Sequence, residues 1–224
     1  MKILVTSGGT EEAIDDVRFI GNRSTGALGA LLAEEAVRRF HEVDLLAGRS
    51  ARSPAAWALD TGLLRMRRYT DSDDLWRHLD QRLRLLGAGA VIHAAAVADF
   101  RPVPVPGKIA SADHEVLNLR LERAPKLAPR IRDAAPDATV VVFKLEAVDD
   151  RGVLFARARR TLAASRADFV VANPVAALGE GAHPAWVLTA DDVLAEVGTK
   201  AALVEALLEL LEGSLTGSEG GDLE

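Results

Sequence analysis

The stretch KILVTSGGT, residues 2–10, decides the fold, because a short apolar run ends there in two adjacent glycines. Such a run predicts a buried strand, and the glycines predict a tight turn after it. Residues 26–39 then predict a helix. Its residues Leu28, Leu32 and Ala36 recur every four positions and form one apolar face. A buried strand, a turn and an amphipathic helix in succession are typical of a parallel sheet wound with helices.

The rest of the chain repeats this alternation. The same patterns predict strands at 43–47, 64–69, 90–98, 139–145 and 168–172, and helices at 71–86, 125–134, 149–165 and 200–212. Residues 185–189 and 193–197 predict an antiparallel hairpin. The predicted fold class is therefore α/β, a Rossmann-like, doubly wound, mostly parallel sheet with a flap and an antiparallel extension. We expect a single domain over residues 1–213 and a disordered tail over 214–224, which is rich in Gly, Ser and acidic residues.

The flap is predicted from a proline-rich segment. Pro102, Pro104 and Pro106 stand at alternate positions and Gly107 follows them. Because proline cannot donate a hydrogen bond to a strand ladder, residues 101–113 are predicted to form an extended flap. The residues after it, 116–122, alternate between apolar and polar types, which favours an exposed antiparallel strand.

Composition excludes several classes of function. The chain has 224 residues, a formal net charge of −6 and no cysteine, so disulfides, thiolate catalysis and cysteine-based metal sites are excluded. The five histidines, at 41, 78, 93, 114 and 183, show no helical ligand spacing, which disfavours a zinc site. No long basic run indicates a nucleic-acid partner. No apolar run approaches the roughly 20 residues of a membrane helix, so a cytoplasmic protein with no membrane partner is expected.

Three segments are expected to meet at the carboxyl edge of the sheet, where such folds bind ligands. The first is the turn with Gly8 and Gly9, which can bring backbone N–H groups close to an anion. The second is residues 21–26, immediately before the first long helix, which carry Asn22 and Arg23 and, in Ser24, Thr25 and Gly26, a candidate phosphate cradle. The third is residues 94–100, whose small residues would let a planar ligand approach. Each segment also has a purely structural interpretation. The first could be an ordinary turn, the second an ordinary helix cap and the third a packed core strand.

Standard nucleotide fingerprints are missing. Gly8 and Gly9 are followed by no glycine until Gly21, so the G-x-G-x-x-G spacing is absent, and no G-x-x-x-x-G-K-[ST] occurs. The single tyrosine, Tyr69, has Asp73 four residues later, which rules out a Tyr-x-x-x-Lys dyad. A Rossmann-type NAD(P) oxidoreductase is therefore a weak alternative. A non-catalytic nucleotide-binding protein on the same fold is another.

Several longer motifs resemble one enzyme family. Residues 3–26, ILVTSGGTEEAIDDVRFIGNRSTG, resemble the opening of phosphopantothenate–cysteine ligases, also called phosphopantothenoylcysteine synthetases. Further similar segments follow in order: AAVADFRP at 95–102, Lys108-Ile109, APKL at 124–127, FKLE at 143–146 and VAN at 171–173. Each motif alone is weak, but together they are specific, and the resemblance spans roughly residues 1–200.

The resemblance implies a reaction in coenzyme A synthesis. The carboxylate of 4′-phosphopantothenate is activated with CTP or ATP, pyrophosphate leaves, and an acyl nucleotidylate forms. The amine of L-cysteine then attacks, which gives phosphopantothenoylcysteine and a nucleoside monophosphate. Because an anion attacks an anion, a lysine, ordered N–H groups and a divalent metal such as Mg²⁺ would stabilise the charge that develops. No flavin is implied, since no flavin-binding half precedes the motifs; a stand-alone ligase is expected.

The resemblance also implies site residues. Asn22 and Lys108 are the catalytic candidates, with Lys108 on a flap that closes over the reactive intermediate. Arg18, Asn22, Ala95 and Ala96 are the substrate-binding candidates, and the family completes its site across a homodimer interface. The candidates for nucleotide binding are Gly8, Gly9, Ser24, Thr25, Gly26, Asp99, Pro125, Lys126, Leu127, Phe143 and Lys144. The metal ligands stay unidentified.

Three departures from the family pattern leave the choice between CTP and ATP open. The flap reads Lys108-Ile109-Ala110-Ser111, where bacterial bifunctional members typically carry Lys-Ile-Lys-Lys. The later helix offers arginines in place of the lysines of those members: Arg157, Arg159, Arg160 and Arg166. Asn173-Pro174 replaces the usual Asn-Asp.

Overall fold

The structure is a computed structural model and describes residues 1–87, 89–113, 115–175 and 182–216. Its strands are β1 (Lys2–Ser7), β2 (Glu11–Ala13), β3 (Phe19–Gly21), β4 (Glu42–Gly48), β5 (Leu64–Tyr69), β6 (Ala90–His93), β7 (Phe100–Pro102), β8 (Leu121–Arg123), β9 (Thr139–Glu146), β10 (Phe169–Pro174), β11 (Ala185–Leu188) and β12 (Val193–Val197). Its helices are α1 (Ala27–Arg38), α2 (Ala56–Leu59), α3 (Ser72–Leu86), α4 (Leu127–Ala134), α5 (Arg151–Ser165) and α6 (Lys200–Thr216), and a short 3₁₀ turn covers Ser111–Asp113.

The central sheet confirms the predicted fold class. Its strand order is β12-β11-β10-β9-β6-β1-β4-β5. The six strands from β10 to β5 run parallel, and β11 and β12 add an antiparallel hairpin at one edge, as predicted. In β1, Ile3 and Val5 pack on the face with α1 and α6, while Leu4 packs on the face with α3, α4 and α5. A strand covered on both faces needs apolar residues at every position, which explains the unbroken run after Lys2.

The glycine turn after β1 is packed from several sides. Gly8 has φ +83°, and a Cβ there would lie 2.5 Å from the Cβ of Ala51. The buried hydroxyl of Tyr69 lies 2.8 Å from the carbonyl oxygen of Ser7 and 3.1 Å from that of Gly8. Gly29 of α1 approaches Ser7 so closely that a Cβ would lie 2.3 Å from its Oγ. The turn therefore requires glycine at residues 8 and 29 and the buried hydroxyl of Tyr69.

The strand predicted over 90–98 is shorter than expected. It ends at His93; after Ala94, the amide of Ala95 binds the Thr6 side chain and the amide of Ala96 binds the glycine turn. Ala94 N donates to Thr6 O at 3.1 Å and Ala96 N donates to Gly8 O at 2.8 Å. Residues 94–98 therefore form a coil that is tied to the turn, which places their side chains and backbone at the edge of the sheet.

The flap region also differs from its prediction. Part of the flap is a strand, since β7 pairs antiparallel with β8, and Pro102 opposite Leu121 is tolerated in this two-stranded sheet. The antiparallel strand predicted over 116–122 is limited to Leu121–Arg123. The β2–β3 hairpin within residues 11–21 was not predicted, because each of its strands has only three residues.

Helix boundaries differ by a few residues. Helix α4 begins at Leu127 with Lys126 as its N-cap, two residues after the proline that was expected to start it. Helix α1 has Gly26, at φ +69°, as its N-cap, and makes no side-chain cap hydrogen bond. Helix α6 continues to Thr216, so residues 214–216 are helical where disorder was expected. The remainder of the predicted tail, 217–224, lies outside the described residues.

A pair of alanine substitutions tests the packing of the glycine turn. Gly62 has φ +76° with no atom within 4 Å of a built Cβ, so Gly62→Ala carries only the cost of the left-handed backbone, about 1 kcal/mol. Gly8→Ala adds the clash with Ala51, so we expect its free energy of unfolding to fall by about 3 kcal/mol. Urea unfolding measures both; equal losses would contradict the packing argument.

Candidate functional site

A cavity of about 850 Å³ opens at the carboxyl ends of β6 and β9. Its size lies within the range of small-molecule sites. Coil residues after β6 form one wall, the start of α4 a second, the end of β9 a third, and the facing side of α5 a fourth. This is the edge of the sheet at which the sequence predicted a ligand.

The cavity brings together many of the predicted site residues. Those that line it are Asn22, Ala95, Ala96, Asp99, Pro125, Lys126, Leu127, Phe143 and Lys144. Within the described ranges, the other predicted residues do not line it: Gly8, Gly9, Arg18, Ser24, Thr25, Gly26 and Lys108. The convergence expected for the second and third segments is therefore seen at Asn22 and at Ala95–Asp99, whereas the glycine turn supports this wall from behind.

Asn22 is held at the cavity edge by backbone contacts. Its Nδ2 donates to Val97 O at 3.1 Å. The backbone beneath it crosses Gly9 so closely that a Cβ on Gly9 would lie 2.7 Å from Asn22 O. The Asn22 amide oxygen has no hydrogen bond among the described residues. It is therefore available to a ligand, and the role of Gly9 seen here is to let Asn22 approach.

An ion pair bridges the mouth of the cavity. Lys126 Nζ donates to the Asp99 carboxylate, and about two thirds of each side chain is exposed. The position of Lys126 follows from its role as the N-cap residue of α4. Exposed pairs of this kind contribute at most about 1 kcal/mol. A charged ligand can therefore replace either partner at little cost.

A second ion-pair cluster joins β9 to α5. The carboxylate of Glu146 lies 3.0 Å from Lys144 Nζ and 2.6 Å from Arg157 Nη1. Burial raises the pKa of Glu146, but the hydrogen bonds from Lys144 and Arg157 lower it by more, so the pKa lies below its ordinary value. Glu146 therefore stays ionised and holds both cations beside the cavity.

Two arginines of α5 were missed as site residues. Arg157 and Arg160 line the cavity with Thr161 and Ala164. The spacing of these four residues places them on one face of a helix. Asp150 sets the start of α5, since its Oδ1 accepts from Val153 N at 2.8 Å. The spacing was visible in the sequence, but the direction in which this face points was not.

The charge of the cavity is opposite in sign to that of the whole chain. Its lining includes two carboxylates, Asp99 and Glu146, and five cationic side chains, namely Arg23, Lys126, Lys144, Arg157 and Arg160. The chain as a whole has a net charge of −6. A local excess of cations on an acidic protein favours an anionic ligand, because exposed charges act over a Debye length of about 10 Å or less.

His93 is a further cavity residue that sequence reasoning missed. It ends β6 and has 9% of its surface exposed. Its Nδ1 lies 2.8 Å from the hydroxyl of Thr6 in β1. Burial lowers the pKa of His93 from 6.5 to about 4, so the imidazole is neutral near pH 7. The sequence showed only a histidine at the end of an apolar run.

The flap is anchored to the β2–β3 hairpin by a buried carboxylate. Asp15 accepts hydrogen bonds from Val17 N, from Arg18 N and its guanidinium, and at 3.1 Å from Ile109 N. The Arg18 guanidinium also donates to Ile109 O. Burial raises the pKa of Asp15, but these hydrogen bonds lower it far below its ordinary value. Lys108 therefore extends from a backbone that is fixed at the next residue.

In the ranges described above, no group of three or more His, Asp or Glu side chains is arranged to hold a metal ion. Nor is any helix in those ranges both long and apolar enough to cross a membrane.

Comparison with known proteins identifies the family. The family described as the DNA/pantothenate metabolism flavoprotein C-terminal domain matches residues 1–213. The chain belongs to this family. A structure of the DNA/pantothenate metabolism flavoprotein from Streptococcus pneumoniae is 31% identical, with a TM-score of 0.87 over 96% of this chain and 99% of that one.

Curated relatives are longer than this chain. The coenzyme A biosynthesis bifunctional protein CoaBC of Thermococcus kodakarensis is 30% identical over 96% of this chain and 51% of its own length. The chain thus spans about half the length of the curated relatives that it matches. A mutant Cab2 protein, solved in complex with phosphopantothenate-cysteine, is 19% identical with a TM-score of 0.77 over 97% of this chain and 88% of that one, which shows a shared fold.

Substitution of Asp15 tests the anchoring of the flap. Asparagine has one oxygen, so in Asp15→Asn an NH₂ group must face N–H donors at one of the two former oxygen positions, and we expect the weakened contact to let the Ile109 amide exchange its hydrogen about tenfold faster. The matched control is Asp80→Asn, since Asp80 pairs with Arg84 on the exposed face of α3. Hydrogen exchange followed by NMR gives both rates; an unchanged Ile109 rate in Asp15→Asn would mean that other contacts hold the flap.

Proposed function

We propose that the chain is a phosphopantothenate–cysteine ligase that acts in coenzyme A biosynthesis. The observation that carries the proposal is the cavity, which gathers Asn22, Asp99, Lys126 and Lys144 within a cationic lining. The family match, the name of the CoaBC relatives and the ligand of the Cab2 complex support it. Such a cavity suits substrates that carry phosphate and carboxylate groups.

The proposed reaction has two steps. The carboxylate oxygen of 4′-phosphopantothenate attacks the α-phosphorus of CTP or ATP, and the bond to pyrophosphate breaks. The amine of L-cysteine then attacks the acyl carbon, loses a proton as the amide forms, and displaces the nucleoside monophosphate. The first step brings two anions together, so its barrier falls when fixed cations and N–H groups surround the reacting phosphate.

Each cavity residue has a proposed role. The amide of Asn22 holds the acyl nucleotidylate, because a neutral amide can bind carbonyl and phosphate oxygens without adding charge. The Asp99–Lys126 pair and Lys144 bind the nucleotide, with Pro125, Leu127 and Phe143 as an apolar wall. Arg157 and Arg160 add positive charge for the triphosphate. Ala95 and Ala96 line the acyl end.

A divalent metal such as Mg²⁺ is proposed to arrive with the nucleotide. The two carboxylates of the cavity, Asp99 and Glu146, are each paired with a cation. They therefore compete poorly for a metal, whereas phosphates and water bind Mg²⁺ well. We also propose that the nucleotide is either CTP or ATP. Its phosphates are proposed to contact Gly8, Gly9 and residues 24–26 at the start of α1. A cytoplasmic location stays a prediction from the sequence.

A homodimer is proposed from one exposed apolar surface. The β2–β3 hairpin, strand β7, the flap and residues 116–121 carry ten large apolar side chains that are at least 38% exposed: Val17, Phe19, Ile20, Phe100, Val103, Val105, Val116, Leu117, Leu119 and Leu121. We call these ten residues the flap surface. Such a concentration of exposed apolar area is typical of an interaction site. Arg18 and Lys108 lie in this region and do not line the described cavity, so we propose that they serve the site of a partner copy.

Parallel assays with both nucleotides test the function. We expect pyrophosphate release that requires phosphopantothenate, and phosphopantothenoylcysteine when L-cysteine is added. Because Lys108 is proposed to stabilise the reacting phosphates, Lys108→Ala should lower kcat by about 10²- to 10³-fold. Lys200→Ala, at the start of α6, is the matched control.

The outcomes of this assay are distinct. If neither nucleotide gives pyrophosphate, the ligase proposal is wrong. Tight nucleotide binding without turnover would favour a non-catalytic protein, to which the departures at Ala110 and Ser111 point. Normal turnover in Lys108→Ala would remove Lys108 from its role and leave the function intact.

A charge on the flap surface tests the dimer. Phe19 is 55% exposed within that surface, whereas Phe40 is 85% exposed and lies outside it. Burial of a carboxylate at an apolar interface is costly, so Phe19→Asp should shift the mass in solution from twice 23.9 kDa to 23.9 kDa. Phe40→Asp should leave it unchanged. Light scattering after size exclusion gives both masses; a monomeric wild-type chain would overturn the dimer.

A further inference from the structure

His93 combines burial with access to the cavity. Its strand, β6, lies between β1 and β9, so His93 stands beside Thr6 on one side and Val142 on the other. Only 9% of its surface is exposed, and it contributes to the cavity lining. A buried imidazole in the floor of a ligand cavity needs a partner for each ring nitrogen.

The hydrogen bonds of Thr6 determine which ring nitrogen carries the proton. The Thr6 hydroxyl is fully buried, accepts from Ala95 N at 3.1 Å and lies 2.8 Å from His93 Nδ1. Among the described residues, His93 Nδ1 is the only acceptor for the proton of the Thr6 hydroxyl. If Nδ1 were protonated, that hydroxyl proton would be buried without an acceptor. Thr6 therefore donates to Nδ1, and the proton of the neutral ring is on Nε2.

The Nε2–H group opens into the cavity. None of the described residues accepts a hydrogen bond from it. Two polar side-chain atoms in the described ranges are fully enclosed without a partner, Ser72 Oγ and Trp186 Nε1. His93 Nε2 is not one of them, so this atom has exposed surface, and the surface that His93 exposes lines the cavity. An unpartnered donor on a side chain that is nine-tenths buried is thus aimed at the space where a ligand would lie.

The character of this donor indicates the kind of acceptor. Burial keeps the ring neutral, and the neighbouring strand β9 places the apolar Val142 beside it, next to Phe143 and Lys144 of the proposed nucleotide site. Phosphate oxygens are better matched by the five cationic side chains of the cavity, because two full charges attract each other more strongly than a full charge and a neutral N–H dipole. A neutral donor on an apolar floor suits an uncharged acceptor, such as a carbonyl oxygen or an unprotonated ring nitrogen of a nucleobase.

We propose that His93 is a specificity-determining residue whose Nε2–H donates to an uncharged acceptor on the base of the bound nucleotide. The proposal rests on the proposed function only in that the cavity takes a nucleoside triphosphate. It assigns to the base a contact that is independent of the ion pairs at Asp99 and Glu146.

Substitutions of His93 combined with a ligand that lacks a base test the proposal. His93→Leu removes the donor, and His93→Gln keeps an N–H donor at similar reach. We expect His93→Leu to weaken binding of the preferred nucleotide about tenfold in calorimetry and to raise its KM with little change in kcat. His93→Gln should retain most of the affinity. Ribose 5-triphosphate, which has no base, should bind wild type and His93→Leu equally.

Two results of the binding measurements would overturn the contact between His93 and the base. An unchanged nucleotide affinity in folded His93→Leu would overturn the proposal, and so would an equal loss for ribose 5-triphosphate, since the donor would then not act on a base. If His93→Leu fails to fold, ¹⁵N NMR of wild type decides instead: Nε2 must be protonated and its shift must move with CTP or ATP but not with ribose 5-triphosphate. If the wild-type chain binds no triphosphate, both the proposed function and the role of His93 are wrong. If it binds CTP or ATP and His93→Leu binds equally well, only the role of His93 is wrong.

Discussion

The close approach of three backbone segments at the glycine turn is the constraint on which the site depends. Gly8 meets Ala51, Gly9 meets the backbone of Asn22, and Tyr69 holds the carbonyl oxygens of the turn. Side chains at these glycines would push the segments apart. The coil after β6 is tied to the same turn through the amide of Ala96, which donates to Gly8 O. One tightly packed turn thus positions both Asn22 and the cavity wall at residues 95–99.

The cavity then depends on ion pairs that the scaffold holds at its opening. Glu146 keeps Lys144 and Arg157 beside the opening, and the Asp99–Lys126 pair spans its mouth. The Asp99–Lys126 pair is exposed and therefore weak, so an anionic ligand can replace Asp99 as the partner of Lys126 without a large cost. Beneath these charges, His93 presents a neutral donor on an apolar floor. The site therefore offers separate environments for a charged and an uncharged part of one ligand.

The flap shows why part of this arrangement could not be predicted. Alternate prolines correctly indicated that residues 101–113 leave the main sheet, but nothing local indicated that β7 would pair with β8 or that Asp15 would bind Ile109. These two residues are 94 positions apart. The same holds for Arg157 and Arg160, whose helical spacing was visible while the direction of their face was not. Propensity and periodicity report neighbours along the chain, whereas hydrogen bonds across the fold join distant residues.

The sequence by itself determined the alternation of strands and helices, the antiparallel hairpin at the edge and the family motifs, because hydrophobic periodicity and turn residues act locally. Through the resemblance it also predicted Asn22, Asp99, Lys126 and Lys144 as site residues, and all four line the cavity. Only the tertiary structure decided that Gly8 and Gly9 are packed beside the cavity and outside its lining, that β6 ends at His93, and that Thr6 orients the imidazole of His93. The reason is that Thr6 and His93 are 87 residues apart, and only the pairing of β1 with β6 brings the hydroxyl to the ring.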